Sequence, residues 1–162
     1  MPLRKPIVLI GADQYQIPDG DTLNAVALAI GAELVNNSAS NQIICTPICP
    51  GIGAGSGGFQ PARANAIGTS RVLGLISALQ IGPGASGNCL QVGLLTASIA
   101  QWNAITSGNG GLIPGAEYFL SAVLAARLTT IPPDRSGDFV VRIGQALTPT
   151  LLFVNPHPPI GL

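Results

Sequence analysis

Few side chains in this sequence carry chemistry, and their spacing fits few reactions. The only histidine, His157, lies in Pro156-His157-Pro158-Pro159, so a serine triad would rest on an imidazole held between prolines. Lys5 is the only lysine, which removes a Ser-x-x-Lys nucleophile, and no Gly-x-Ser-x-Gly is present. Cys45, Cys49 and Cys89 form no CxxC pair, so zinc has no ligand set. In one extended strand Cys45 and Cys49 face the same side about 13 Å apart, beyond disulfide reach. Cys89 remains open to pairing with either; the simplest reading is three small buried apolar side chains in a reducing cytosol. Gly53-Ala54-Gly55-Ser56-Gly57-Gly58 is a formal G-x-G-x-x-G. A dinucleotide site needs a helix next and an acid about 20 residues on. Here Pro61 follows, and no Asp or Glu occurs between Glu33 and Glu117. The carboxylates Asp13, Asp19, Asp21, Glu33, Glu117, Asp134 and Asp138 mostly flank turns rather than pair for glycoside hydrolysis. Asp13, Asp19 and Asp21 near Asn24 are calcium-ligand types without the EF-hand spacing. Trp102 beside Gln101 is a sugar platform or, more simply, core. The expectation is no catalytic residue, no cofactor and no metal.

The elements that must position these groups come from an unusual composition. The 162 residues include 7 basic and 7 acidic side chains, and charged residues are 9% of the chain, against about 25% in ordinary soluble domains. Gly (21) and Pro (14) are abundant, and apolar residues reach 47% with only 4% aromatic. A neutral chain so poor in Lys and Arg has no electrostatic footprint for nucleic acid. Its apolar stretches are shorter than the roughly 20 residues of a membrane span. No signal peptide is expected, because only Ile7, Val8, Leu9 and Ile10 follow Arg4, Lys5 and Pro6. A monomer with so few charges sits near its solubility limit, so the surface is expected to be covered by partners in an assembly.

The pattern divides into an arm, residues 1–40, and a β-rich domain, residues 41–162. The arm carries Pro6-Ile7-Val8-Leu9-Ile10, a turn at Pro18-Asp19-Gly20-Asp21, and an apolar stretch over 22–35. That stretch reads equally as helix capped by Asp21 or as strand, since Val26, Leu28 and Ile30 alternate with Ala. Strands are expected over 42–46, 71–76, 89–95, 117–121, 128–131, 138–147 and 150–154. Ser98 and Gln101 have capping-box spacing for a two-turn helix presenting Ile99, Trp102 and Ile105, ended by Asn109-Gly110-Gly111. Short strands split by Gly/Pro turns predict a mainly β fold: a small barrel or sandwich with one short helix, plus an extended N-terminal arm.

The C-terminal half runs Gly111-Leu112-Ile113-Pro114-Gly115-Ala116-Glu117-Tyr118-Phe119-Leu120-Ser121, then Leu128-Thr129-Thr130-Ile131-Pro132-Pro133, Val140-Val141-Arg142-Ile143-Gly144-Gln145-Ala146-Leu147 and Pro158-Pro159-Ile160. It resembles a "GLTPGxxYYLS…GxLTTxxP…VVRVGxALS…PPI" pattern of small tailed-bacteriophage virion proteins, the β-domains of capsid decoration proteins and of head or tail fibres. Gly93-Leu94-Leu95-Thr96, Gln101-Trp102 and residues 64–75 fit the same pattern. The N-terminus, with Ile17-Pro18-Asp19-Gly20-Asp21-Thr22-Leu23-Asn24 after its apolar run, is similar to a segment that opens phage fibre proteins. The resemblance implies structural roles for Trp102, Pro114, Gly115, Tyr118, Leu120, Arg142, Gly144 and Pro159. It implies partner contacts at Pro6, Ile7, Val8, Leu9, Ile10, Asp19, Asp21 and Leu23. The expected role is non-enzymatic decoration of the capsid exterior: the protein, made in the host cytoplasm, joins the virion and binds the major capsid protein, as a homotrimer. With no fibrous extension after Leu162, a compact decoration subunit is expected over a long fibre. The alternatives are a fibre or adaptor subunit at vertex, neck or tail, and a carbohydrate-binding virion module using Trp102 and an acidic pair.

Overall fold

The computed structural model describes residues 30–51 and 57–162, together with the backbone of 7–10 and 13–16. Near the N-terminus β1 (Ile7–Ile10) and β2 (Asp13–Gln16) pair antiparallel, Ile7 with Gln16 and Ile10 with Asp13. The body begins with β3 (Ile30–Asn36), β4 (Gln42–Ile43), β5 (Pro47–Pro50) and β6 (Gly58–Pro61). A single turn α1 (Ile67–Ser70), then β7 (Gly74–Ile76), β8 (Gln80–Ile81) and the 11-residue β9 (Ser86–Thr96) follow. Next come α2 (Ile99–Thr106), β10 (Glu117–Leu120), β11 (Leu128–Thr129), β12 (Phe139–Val140), β13 (Arg142–Thr148), β14 (Leu151–Val154) and β15 (Ile160–Gly161).

The fold is mainly β and contains a closed five-stranded barrel. The barrel runs β9-β3-β6-β5-β7 and returns to β9. All its pairings are antiparallel except β3 with β6, where Val35 meets Gly58 and Asn36 meets Phe59. Closure removes the unpaired edges that an open sheet of short strands would expose. Ile48, Phe59, Ile76, Ile81 and Cys89 fill one small core, with Ala32 and Leu34 packed against it.

Strand β9 also founds a second sheet, in the order β9-β14-β13-β10-β11. Its pairing with β3 skips one residue: Gly31 faces Leu90 and Ile30 faces Val92, leaving Gln91 as a bulge. A bulge reverses which side chains face which way. Cys89 therefore lies in the small core, while both Leu90 and Leu95, an odd number apart, lie in the larger one. The larger core joins Cys45, Cys49, Leu75 and Leu90 of the barrel side to Trp102 and Ile105 of α2 and to Tyr118, Leu120, Ile143, Leu152 and Val154 of the second sheet. Thus β5 and β7 are covered on both faces, consistent with their near-continuous burial.

Local signals account for several elements. Gln101 N–H donates to Ser98 Oγ at 3.2 Å and Ser98 N–H donates to Gln101 Oε1 at 2.8 Å, completing the predicted capping box. The helix ends earlier than predicted, at Ser107, whose left-handed backbone (φ 58°) sends its N–H to the Asn103 carbonyl at 2.9 Å. Trp102 and Ile105 are buried, whereas Ile99, one turn before Trp102 at the start of the helix, is exposed.

Other expectations are corrected. The strand over 42–46 stops after Ile43, because Cys45 turns left-handed (φ 70°) and β5 starts anew at Pro47. The strand over 71–76 is only Gly74–Ile76, whereas that over 89–95 grows to Ser86–Thr96. The strand over 138–147 splits at the buried Val141: β12 pairs with β15, and β13 with β10 and β14. Residues 30–36, within the segment read as arm, form β3, a wall of the barrel. Strand is therefore the correct reading over 30–36; Pro6, Asp19, Asp21 and Leu23 lie outside the described residues.

Candidate functional site

Of the residues singled out by the resemblance, Trp102, Tyr118 and Leu120 lie together in the larger core. Trp102 is fully buried and its indole N–H donates to the Thr150 carbonyl at 3.1 Å, tying α2 to the β13–β14 turn. Buried on both ring faces, it offers no platform to a sugar. Tyr118 and Leu120 point into the same core, and the Tyr118 hydroxyl accepts from the Ile113 N–H at 2.9 Å. Pro114 and Gly115 form the turn before β10, Gly115 adopting φ 81° and donating its N–H to the Ala146 carbonyl at 2.8 Å. Gly144 allows close strand approach: a Cβ there would lie 2.1 Å from the Phe153 carbonyl oxygen. Pro159 sits apart, half-buried in the segment before β15.

Arg142 alone of this set works on the outer face. Its Nε donates to Glu117 Oε1 at 2.7 Å, and its guanidinium lies 3.5 Å from His157 Nε2. The pair spans β10 and β13 and is partly exposed, so it contributes at most about 1 kcal/mol.

Beside this polar corner the outer face of the second sheet turns apolar. Cross-strand register places Leu94, Phe153 and Gln145 in one row, and Leu147 follows Gln145 by two residues along β13. Leu94 is 44% exposed, Phe153 38% and Leu147 49%. Ile30, opposite Val92 on β9, extends the row, also exposed. Opposed large side chains on a sheet face ordinarily lie under a second layer. A separate exposed apolar group, Val123, Leu124 and Ile131, sits in the loops on either side of β11.

These face residues were missed at the sequence level. The signal was available: Leu151-Leu152-Phe153-Val154 is apolar at every position, a pattern that demands burial of both strand faces. Leu152 and Val154 satisfy one face; Phe153 stands on the other.

The three thiols do no visible chemistry. All are free and buried. Burial pushes Cys45 up to about 12 and raises Cys49 and Cys89 as well, which suppresses the thiolate. Cys89 lies in the small core and Cys45 and Cys49 in the larger one, so the open question of a Cys89 pairing resolves to three free thiols. After the glycine-rich loop, Gly58 opens strand β6 rather than the helix a dinucleotide site requires. Of the expected partner contacts, Ile7, Val8, Leu9 and Ile10 make up β1. Among the described residues no helix is long and apolar enough to cross a membrane. Compared with family models, curated proteins and solved structures, the chain matches none.

Proposed function

We propose that this chain is a non-enzymatic assembly protein, a phage capsid decoration subunit that binds the outer surface of the major capsid lattice as a homotrimer and stabilises the expanded head. The observation that carries the reading is the cross-strand pair Leu94 and Phe153, both exposed, with exposed Leu147 farther along β13. Exposed contiguous apolar surface of this kind marks protein contact. Low charge and the resemblance of the C-terminal residues to phage virion β-domains support the same reading. A protein that binds only one state of a shell stabilises that state by mass action.

The experiment is the copy number of the chain relative to the major capsid protein in purified particles, for the wild type and for Leu94→Lys. A comparable copy number supports a lattice-wide decoration subunit, and loss of the variant from particles places the contact on the sheet face. A copy number of a few per cent assigns the chain instead to a fibre or adaptor at vertex, neck or tail. Absence from particles overturns both.

A further inference from the structure

The loop after α2 and strand β11 enclose a groove of about 370 Å³, lined by Thr106, residues 108–113, Tyr118, Thr129 and Thr130. We propose that this groove binds a neutral, polyhydroxylated ligand: a sugar unit. The volume falls in the range of small-molecule sites. Its lining contains no charged side chain, so nothing there would compensate a phosphate or carboxylate.

Two of its polar side chains are uncommitted, whereas the Thr106 and Thr129 hydroxyls already donate to the Trp102 and Ile131 carbonyls. Asn109 and Thr130 are exposed and make no side-chain hydrogen bond within the described chain. The buried Tyr118 hydroxyl accepts from the Ile113 N–H, which leaves its own proton to give. An amide and an aliphatic hydroxyl both give and accept, and the phenol gives. That mixture suits ligand hydroxyls, which also do both. Leu112 and Ile113 supply an apolar wall for the C–H face of a sugar ring.

The frame is already set. Gly108 N–H donates to Thr106 Oγ1 at 3.3 Å, Gly111 N–H to Asn103 Oδ1 at 2.8 Å, and Leu112 N–H to the Pro149 carbonyl at 2.9 Å. A loop held in place before binding loses little freedom on binding. The inference does not depend on the assembly role, since the groove and the apolar sheet row share no residue.

The test is an NMR titration of the purified full chain. Glucose, galactose and N-acetylglucosamine are the neutral probes, and a soluble glucan supplies the same chemistry in chain-linked form. Glucuronate and inorganic phosphate are the charged comparators. Saturable shifts confined to residues 106–113, 118 and 129–130 with a neutral probe are expected, with none from phosphate or glucuronate. Thr130→Val and Asn109→Ala, both at exposed positions, are expected to weaken binding about tenfold each, one hydrogen bond's worth. The proposal is overturned if no neutral probe or glucan gives saturable shifts. It is equally overturned if the charged probes bind as well, or if both variants bind like the wild type.

Discussion

Gly144→Ala is the sharpest test of the packing argument. Gly144 on β13 pairs with Val154 on β14, and the added methyl would lie 2.1 Å from the Phe153 carbonyl oxygen and 3.0 Å from its carbon. Real Cβ contacts do not fall below about 3.0 Å, so β14 must retreat by at least about 0.9 Å. The obstacle is backbone, which cannot rotate away as a side-chain tip can. Retreat would also pull Leu152 and Val154 out of the larger core. Overpacking of this kind costs about 1–3 kcal/mol, and at about 2–4 °C per kcal/mol in a chain of this size the melting temperature should fall by about 2–12 °C. Thermal unfolding followed by circular dichroism reads it. Gly110→Ala is the control, because nothing lies within 4 Å of its Cβ position and it should stay within about 0.5 kcal/mol of wild type. If Gly144→Ala melts with Gly110→Ala, close strand approach is not why glycine stands at 144.

Three further outcomes are expected. Ser98→Ala removes the acceptor for the Gln101 N–H and should cost about 1 kcal/mol in urea unfolding. Asn36→Ala should cost about 1–3 kcal/mol with an unchanged m-value, because the buried Asn36 amide bonds the Ser40 and Ile81 carbonyls, both at 2.9 Å, and accepts from the Ser38 N–H and hydroxyl. Cys45 binds its proton more tightly when folded (about 12) than when unfolded (9.0), so its contribution is intact below pH 9 and is lost as pH rises toward 12, by about 1.4 kcal/mol per pH unit; Cys45→Ala should flatten that alkaline limb of a stability–pH profile.

The sequence spoke clearly where the determinants are local. Ser98 and Gln101 lie three residues apart, and the cap they form needs nothing from elsewhere. The strands over 117–120 and 151–154 are set by short apolar runs bounded by turn residues. What stayed hidden depends on distant partners. Nothing in Gly58-Phe59-Gln60-Pro61 announces a parallel pairing with β3, and nothing near residue 160 announces a strand opposite Phe139 and Val140. Val141 illustrates the limit. It sits inside an apolar run that reads as one strand, yet β12 pairs with the C-terminal strand while β13 pairs with β10 and β14. At the candidate sites, Trp102, Tyr118 and Leu120 are buried in the larger core. The run Leu151-Leu152-Phe153-Val154 signals two apolar faces, but the sequence does not say which of them the described residues leave exposed.

The placement of that face, uncovered among the described residues, follows from β9. One strand serves first as a barrel wall and then as the founding strand of the second sheet, and the bulge at Gln91 turns it between the two. The two halves consequently share a backbone and a core, so neither can open without exposing the larger cluster. Most pairings that build this arrangement join distant residues, which makes folding slow. A slowly folding chain with few charges and an apolar outer sheet has little to oppose self-association in solution. Seating the Leu94–Phe153 row against another subunit would remove the liability and supply the contact at once. Leu94→Lys accordingly separates two properties: the purified chain should become more soluble, while its incorporation into particles should fall. A variant that gains solubility and still incorporates like the wild type would show that the contact lies on another surface.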